Sequence, residues 1–144
     1  MSVGSEHVEL ALPPDVTSVA AGRRLVRTAL TAWQLEDLTD TAVLLTSEVL
    51  TNSVLHARTQ IVLSVRRTGD HAVAISVHDG SPHLPRSRRH SPEATTGRGL
   101  ELLDQLSDEW HVDAEADGKT LTFSVGAGPD PWVRFAEPAW VEEL

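Results

Sequence analysis

Between Thr41 and Arg58 the chain reads TAVLLTSEVLTNSVLHAR, and this stretch restricts the fold more than any other. At about 100° per residue, Leu44, Leu55, Glu48, Asn52 and Leu45 fall on one arc of a helix roughly 100° wide. Two polar side chains thus sit inside a leucine stripe. Val43, Leu50 and Val54 make the opposite side apolar as well, so the segment reads as a helix packed from more than one direction. An unpaired amide costs about 2–7 kcal/mol to bury, and an unpaired carboxylate costs more. Glu48 and Asn52 therefore need partners: a ligand or ion in a cleft, backbone groups of a neighbouring element, or a solvent edge.

The rest of the chain supplies a scaffold for that helix. His7 to Leu12 alternates and stops at Pro13-Pro14, as a short edge strand does. Asp15 precedes Val19, Leu25, Val26, Ala29 and Leu30 at helical spacing, predicting a first helix to about Trp33. Asp37 or Thr39 is placed to cap the second. Ile61, Leu63 and Val65, then a turn at Thr68-Gly69-Asp70, then Val73, Ile75 and Val77, predict a hairpin. The segment HDGSPHLPRSRRHSPEATTGRG has little to bury and reads as a long loop. Leu100, Leu102, Leu103 and Leu106 predict a third helix from about Arg98 to Ser107. Trp110–Ala114 and Thr120–Val125, joined through Ala116-Asp117-Gly118-Lys119, predict a second hairpin. The order β-α-α-β-β-loop-α-β-β gives an α+β, two-layer sandwich: one mixed, mainly antiparallel sheet with three helices on one face. Residues 1–144 are read as a single domain with a core over about 8–125 and a C-terminal tail, 126–144, that contains Trp132 and Trp140.

Three local features carry the chemistry. Glu48 and Asn52 lie one helical turn apart, with His56 a further turn on. The carboxylate suits a general base, and the amide oxygen is a hard ligand of the kind Mg²⁺ takes. His56 is more simply structural. Asp79 ends a strand and precedes Gly80; an acceptor-only carboxylate there can receive an exocyclic amine, while glycine lets a flat ring approach the backbone. The plain alternative is an Asp-Gly turn. Gly97, Arg98, Gly99 and Leu100 open the third helix, where exposed N–H groups and the helix dipole favour a phosphate. The full spacing of P-loop and dinucleotide motifs is absent.

As one ordered set these segments resemble the Bergerat-fold ATPases, the superfamily of histidine kinases, gyrase, a class of heat-shock chaperones and the mismatch-repair ATPases. SEVLTNSVLHA is similar to the N-box, HDG to the adenine-binding box and TGRGLELLDQLSDEW to the second glycine box. GKTLTF is similar to the closing strand whose threonine lies near the adenine. The resemblance covers about residues 8–125, and the short length points to the small anti-sigma-factor serine kinases. It implies ATP and Mg²⁺, with Glu48 as general base and Asn52 as the metal ligand. Asp79 and Gly80 would bind the adenine, Gly97 and Gly99 would lie against the phosphates, and Thr120 would support the adenine end. Ser81 to Thr96 would be a lid, with Arg86, Arg88 and Arg89 as candidate phosphate or partner contacts. The implied partners are a sigma factor and an anti-anti-sigma (STAS-type) protein, and the resemblance allows a homodimer through the first strand and helix.

The chain departs from the superfamily at its first glycine box, which reads Asp79-Gly80-Ser81-Pro82-His83 where D-x-G-x-G is usual. Pro82 and Pro85 stiffen the start of the loop. This favours, as an alternative, a non-catalytic module in which nucleotide gates protein binding. A net charge of −9 opposes general nucleic-acid binding, and the lack of cysteine excludes disulfides and thiolate metal sites. No apolar run reaches membrane length and no leader is evident, so a cytoplasmic location with no membrane partner is expected.

Overall fold

A computed structural model describes residues 6–81 and 98–126, the last stretch by backbone alone over 98–100. Its elements are β1 (His7–Leu12), α1 (Thr17–Ala32), a 3₁₀ turn (Glu36–Leu38), α2 (Thr39–His56), β2 (Ile61–Gly69), β3 (Ala72–Asp79), α3 (Arg98–Leu106), β4 (Glu109–Glu115) and β5 (Gly118–Gly126). The five strands form one sheet in the order β1-β2-β3-β5-β4. All four pairings are antiparallel, so among the described residues the sheet is antiparallel throughout and not mixed. Among the described residues β1 pairs only with β2 and is an edge, as its prolines foretell.

Period-two alternation sorts the sheet into two faces. Ile61, Leu63 and Val65 of β2, Val73, Ile75 and Val77 of β3, and Leu121, Phe123 and Val125 of β5 are all buried in the core with the helices. Each such side chain contributes about 1.5–3 kcal/mol by leaving water. The alternate positions are mixed, and several of their polar side chains pair laterally. Ser76 Oγ lies 2.9 Å from Thr122 Oγ1, and His7 Nε2 lies 2.8 Å from Ser64 Oγ.

α1 lies against α2 at close range because Gly22 has no side chain: a Cβ there would stand 2.2 Å from Leu50 Cδ1. Its C-terminus is closed by two backbone bonds, Leu35 N–H to Leu30 O at 2.8 Å and Gln34 N–H to Thr31 O at 3.1 Å. This is a Schellman arrangement, and it forces Gln34 to a φ of 61°. At the other end the Asp15 carboxylate accepts from the Thr17 N–H at 2.8 Å and from the Thr17 hydroxyl. These bonds hold the Asp15 carboxyl below the usual range.

α2 begins differently from expectation. Neither Asp37 nor Thr39 caps it by a side chain; the 3₁₀ turn feeds directly into the helix, and Asp37 instead meets His71 Nε2 at 2.5 Å. Its buried face is also rotated from the expected arc. Ala42, Val43, Leu45, Thr46, Val49, Leu50 and Ser53 face the core, whereas Leu44 is 40% and Leu55 55% exposed. The part of the stripe that holds Leu44, Leu55, Glu48 and Asn52 is therefore the outer shoulder of the helix, while Leu45 turns into the core. With apolar residues on nearly every side, periodicity alone could not say which side meets the sheet.

Candidate functional site

The site is built where the end of β3 meets the side of α2. Asp79 follows Val77 on the helix-facing side of β3, so its carboxylate points inward and is 1% exposed. A carboxylate so placed must be paired and hydrogen-bonded. Ser53 of α2 donates its hydroxyl to Asp79 Oδ2 at 2.7 Å. The Ser81 N–H donates to Oδ1 at 2.9 Å, and Lys119 Nζ lies 2.7 Å from the same oxygen. The Lys119 and Asp79 side chains are 12% and 2% exposed, so this is a largely desolvated ion pair.

The backbone after Asp79 is fixed as firmly. Gly80 N–H donates to Thr59 Oγ1 at 2.8 Å, and a Cβ at Gly80 would come within 2.9 Å of Thr59 Cγ2. Gly118, at the start of the neighbouring strand β5, has φ at 142°, and a Cβ there would stand 2.0 Å from the Asp79 carbonyl oxygen. Only glycine allows β5 to approach β3 so closely at this point. The Asp-Gly pair therefore belongs to a braced strand end and not to a simple solvent turn.

Glu48 and Asn52 occupy the same helix as Ser53, both half-buried, with Asn52 adjacent to Ser53 and Glu48 one turn before Asn52. Neither takes a hydrogen bond or ion pair from another described residue, so neither serves to satisfy a neighbouring backbone. They stand as an unpaired acid and amide on the flank of the helix that holds the buried carboxylate. His56 is exposed at the last turn of α2. α3 packs against α2 and begins at Arg98. The backbone of Arg98, Gly99 and Leu100 is thus helical, as their spacing predicts. Gly97, Arg86, Arg88, Arg89, the expected lid apart from Ser81, and the tail tryptophans Trp132 and Trp140 lie outside the described residues.

Thr120 is not brought to Asp79. It pairs with His78 across the β3–β5 ladder and shares the opposite face of the sheet. Its hydroxyl lies 2.9 Å from His78 Nδ1 and 3.1 Å from Glu115 Oε1. The register partner of Asp79 is Lys119. A one-residue offset moves a strand side chain to the other face, so the residue beside the carboxylate is the lysine that precedes the threonine. Sequence reasoning missed Ser53, Thr59 and Lys119. Ser53 follows Asn52 at the position that turns toward the sheet, and only the rotation of α2 reveals it. Lys119 could have been found by counting strand parity back from Leu121 and Phe123.

Charge separates the two sides of this strand end. Inside, one carboxylate and one ammonium neutralise each other beside Ser53. Outside, the His78 ring lies between two acids, with Nδ1 3.1 Å from Glu115 Oε1 and Nε2 3.7 Å from Asp117 Oδ2. The arrangement can accept a donor at Asp79 Oδ2, donate from Lys119, and offer a carboxylate and an amide oxygen from α2.

Comparison with known proteins agrees with this layout. The structure is similar to the RsbU and RsbW domains of Rv1364c from Mycobacterium tuberculosis, with a TM-score of 0.64 at 20% identity over 83% of this chain. The match spans 32% of that longer chain, so the likeness is one of fold. No curated protein sequence matches significantly. A family model described as the histidine kinase-like ATPase domain matches residues 12–125, which takes in α2, the Asp79 strand end and β5. On that match, the chain belongs to the histidine kinase-like ATPase domain family.

Proposed function

We propose that the chain is an ATP-binding regulatory serine/threonine kinase of the anti-sigma-factor type, which binds a sigma factor and phosphorylates an anti-anti-sigma antagonist. The observation that carries this reading is the pairing on α2: Glu48 and Asn52 are half-buried and unpartnered among the described residues, beside a serine fixed to a buried carboxylate. The family match supports ATP as the nucleotide. The resemblance of SEVLTNSVLHA and its companion segments to the small anti-sigma-factor kinases supports the subgroup, as does the fold likeness to a chain with an RsbW domain.

The donors fit the groups they would hold. Each carboxylate oxygen has about two acceptor sites. Asp79 Oδ2 is used once, by Ser53, so it retains one place for an exocyclic amine. The Asn52 side-chain oxygen is free to face Mg²⁺, an ion that prefers a few protein oxygens together with substrate phosphates. Bound there, the ion would neutralise phosphate charge. Asp79 and Gly80 would orient the base, the α3 N-terminus with Gly97 and Gly99 would receive phosphate oxygens, and Glu48 would accept the hydroxyl proton of the protein substrate. The γ-phosphoryl passes to that hydroxyl oxygen, its bond to the bridging oxygen breaks, and ADP leaves.

The test combines nucleotide titration with phosphoryl transfer to a candidate STAS-type antagonist. Asn52→Ala should remove the Mg²⁺ dependence of ATP binding, and Glu48→Gln should leave binding intact while transfer falls by about 10²-fold or more. ATP binding by the wild type with no transfer would instead favour the nucleotide-gated binding module, a reading that the non-standard Asp79-Gly80-Ser81-Pro82-His83 segment supports. Failure to bind ATP would overturn both.

A further inference from the structure

Lys119 is the least expected member of the site, and its position follows from strand parity. Leu121, Phe123 and Val125 of β5 face the helices, so Lys119, two residues before Leu121, emerges on the same face and in register with Asp79. The distribution of donors on that carboxylate is uneven. Oδ1 receives both the Ser81 N–H and Lys119, which fills it, whereas Oδ2 receives Ser53 alone. An incoming amine can use Oδ2 without displacing the lysine.

The ammonium is in the complementary state. It carries three protons, and Asp79 is its one hydrogen-bond partner among the described residues, although the side chain is only 12% exposed. A cation this deep with donors to spare is matched to an acceptor beside the carboxylate. Lys119 Nζ, held on Oδ1, and the open place on Oδ2 thus offer a donor and an acceptor from one carboxylate–ammonium pair. The Watson–Crick edge of adenine presents the complement: the exocyclic amine donates, and ring nitrogen N1 next to it accepts.

We propose that Lys119 is a specificity-determining residue of the nucleotide site, donating to adenine N1 while Asp79 Oδ2 accepts the adenine amine. The assignment rests on the ATP-binding reading above and deepens it. Guanine in the same pose would place its O6 acceptor against the carboxylate and its N1–H against the ammonium, so both contacts become repulsive. The ion pair also preorganises the reader, because Lys119 is already held where the base arrives and loses little freedom on binding.

The experiment titrates the whole chain, in Mg²⁺, with ATP, with 1-deaza-ATP and with GTP. 1-Deaza-ATP keeps the amine and replaces N1 by CH, so it tests the lysine contact on the unmodified protein. A hydrogen bond from a charged donor implies that the wild type binds ATP about 10- to 100-fold more tightly than 1-deaza-ATP. GTP should bind more weakly still. Lys119→Met should bind ATP and 1-deaza-ATP equally. Equal affinity of the wild type for ATP and 1-deaza-ATP would overturn the assignment while leaving ATP binding intact. Tighter ATP binding by Lys119→Met would overturn it in favour of a lysine that blocks the base site. Binding of none of the three would refute the ATP-binding reading itself, and this assignment with it. Because the 1-deaza-ATP comparison needs no variant, it remains decisive if Lys119→Met fails to fold.

Discussion

Ser53→Ala removes one hydroxyl from the centre of the protein, and its cost can be worked out from the geometry. The Ser53 hydroxyl donates to Asp79 Oδ2 at 2.7 Å, with Ser53 6% and Asp79 1% exposed, so no bulk water stands ready to replace it. A hydrogen bond to a charged group contributes about 1.5–3 kcal/mol. For a chain of this size each kcal/mol shifts the melting temperature by roughly 3 °C, so the variant should melt about 5–9 °C lower. Thermal and urea unfolding followed by circular dichroism would measure it. In an Asp79→Asn background the acceptor is neutral, and the same change should cost only about 1 kcal/mol. The difference between the two backgrounds isolates the charge-assisted part of the bond. Equal losses in both would mean that Ser53 acts through packing, and a shift under about 2 °C would refute the claim that it holds the carboxylate.

Gln34→Gly should stabilise the fold by about 0.5–1 kcal/mol, because the left-handed conformation costs a non-glycine residue about 1–2 kcal/mol and glycine returns part of that as unfolded-chain entropy; a loss of stability in urea unfolding would count against the Schellman closure. Gly118→Ala should cost upwards of about 3 kcal/mol or prevent folding, since its Cβ would collide with the Asp79 carbonyl; soluble protein yield and melting temperature report the result. The Asp15 carboxyl has its pKa lowered from 3.8, first by the Thr17 hydroxyl bond. A group depressed in the folded state stabilises above its unfolded pKa, and that contribution disappears as pH falls through the lower folded value. Asp15→Asn should therefore flatten the acid limb of the stability curve below about pH 4, and identical acid limbs would contradict the bond.

The elements were legible because their signals are local. Alternation gave both hairpins, and the first and third helices end within one or two residues of where spacing puts them. What periodicity could not give was the rotation of α2, since a helix with apolar residues on almost every side offers no unique inward direction. Leu44 and Leu55 belong to the apolar stripe yet lie exposed, while Ala42, Thr46 and Ser53 are buried. The site showed the same division. Asp79 and Gly80 announce themselves as a strand end, but that the carboxylate is shared by α2 and β5 depends on pairings far apart in sequence. Thr120 and Lys119 differ by one position, and choosing between them required the register with β3.

Three separate segments grip one carboxylate: α2 through Ser53, β5 through Lys119, and the chain just past β3 through the Ser81 amide. Anyone seeking a nucleotide-blind form of this protein for work in cells should therefore leave Asp79 alone, since altering it would loosen the tertiary structure and confuse loss of ligand with loss of protein. Asn52 is the better point of attack. No described residue leans on its side chain, so a phenotype from Asn52→Ala could be credited to the missing ligand.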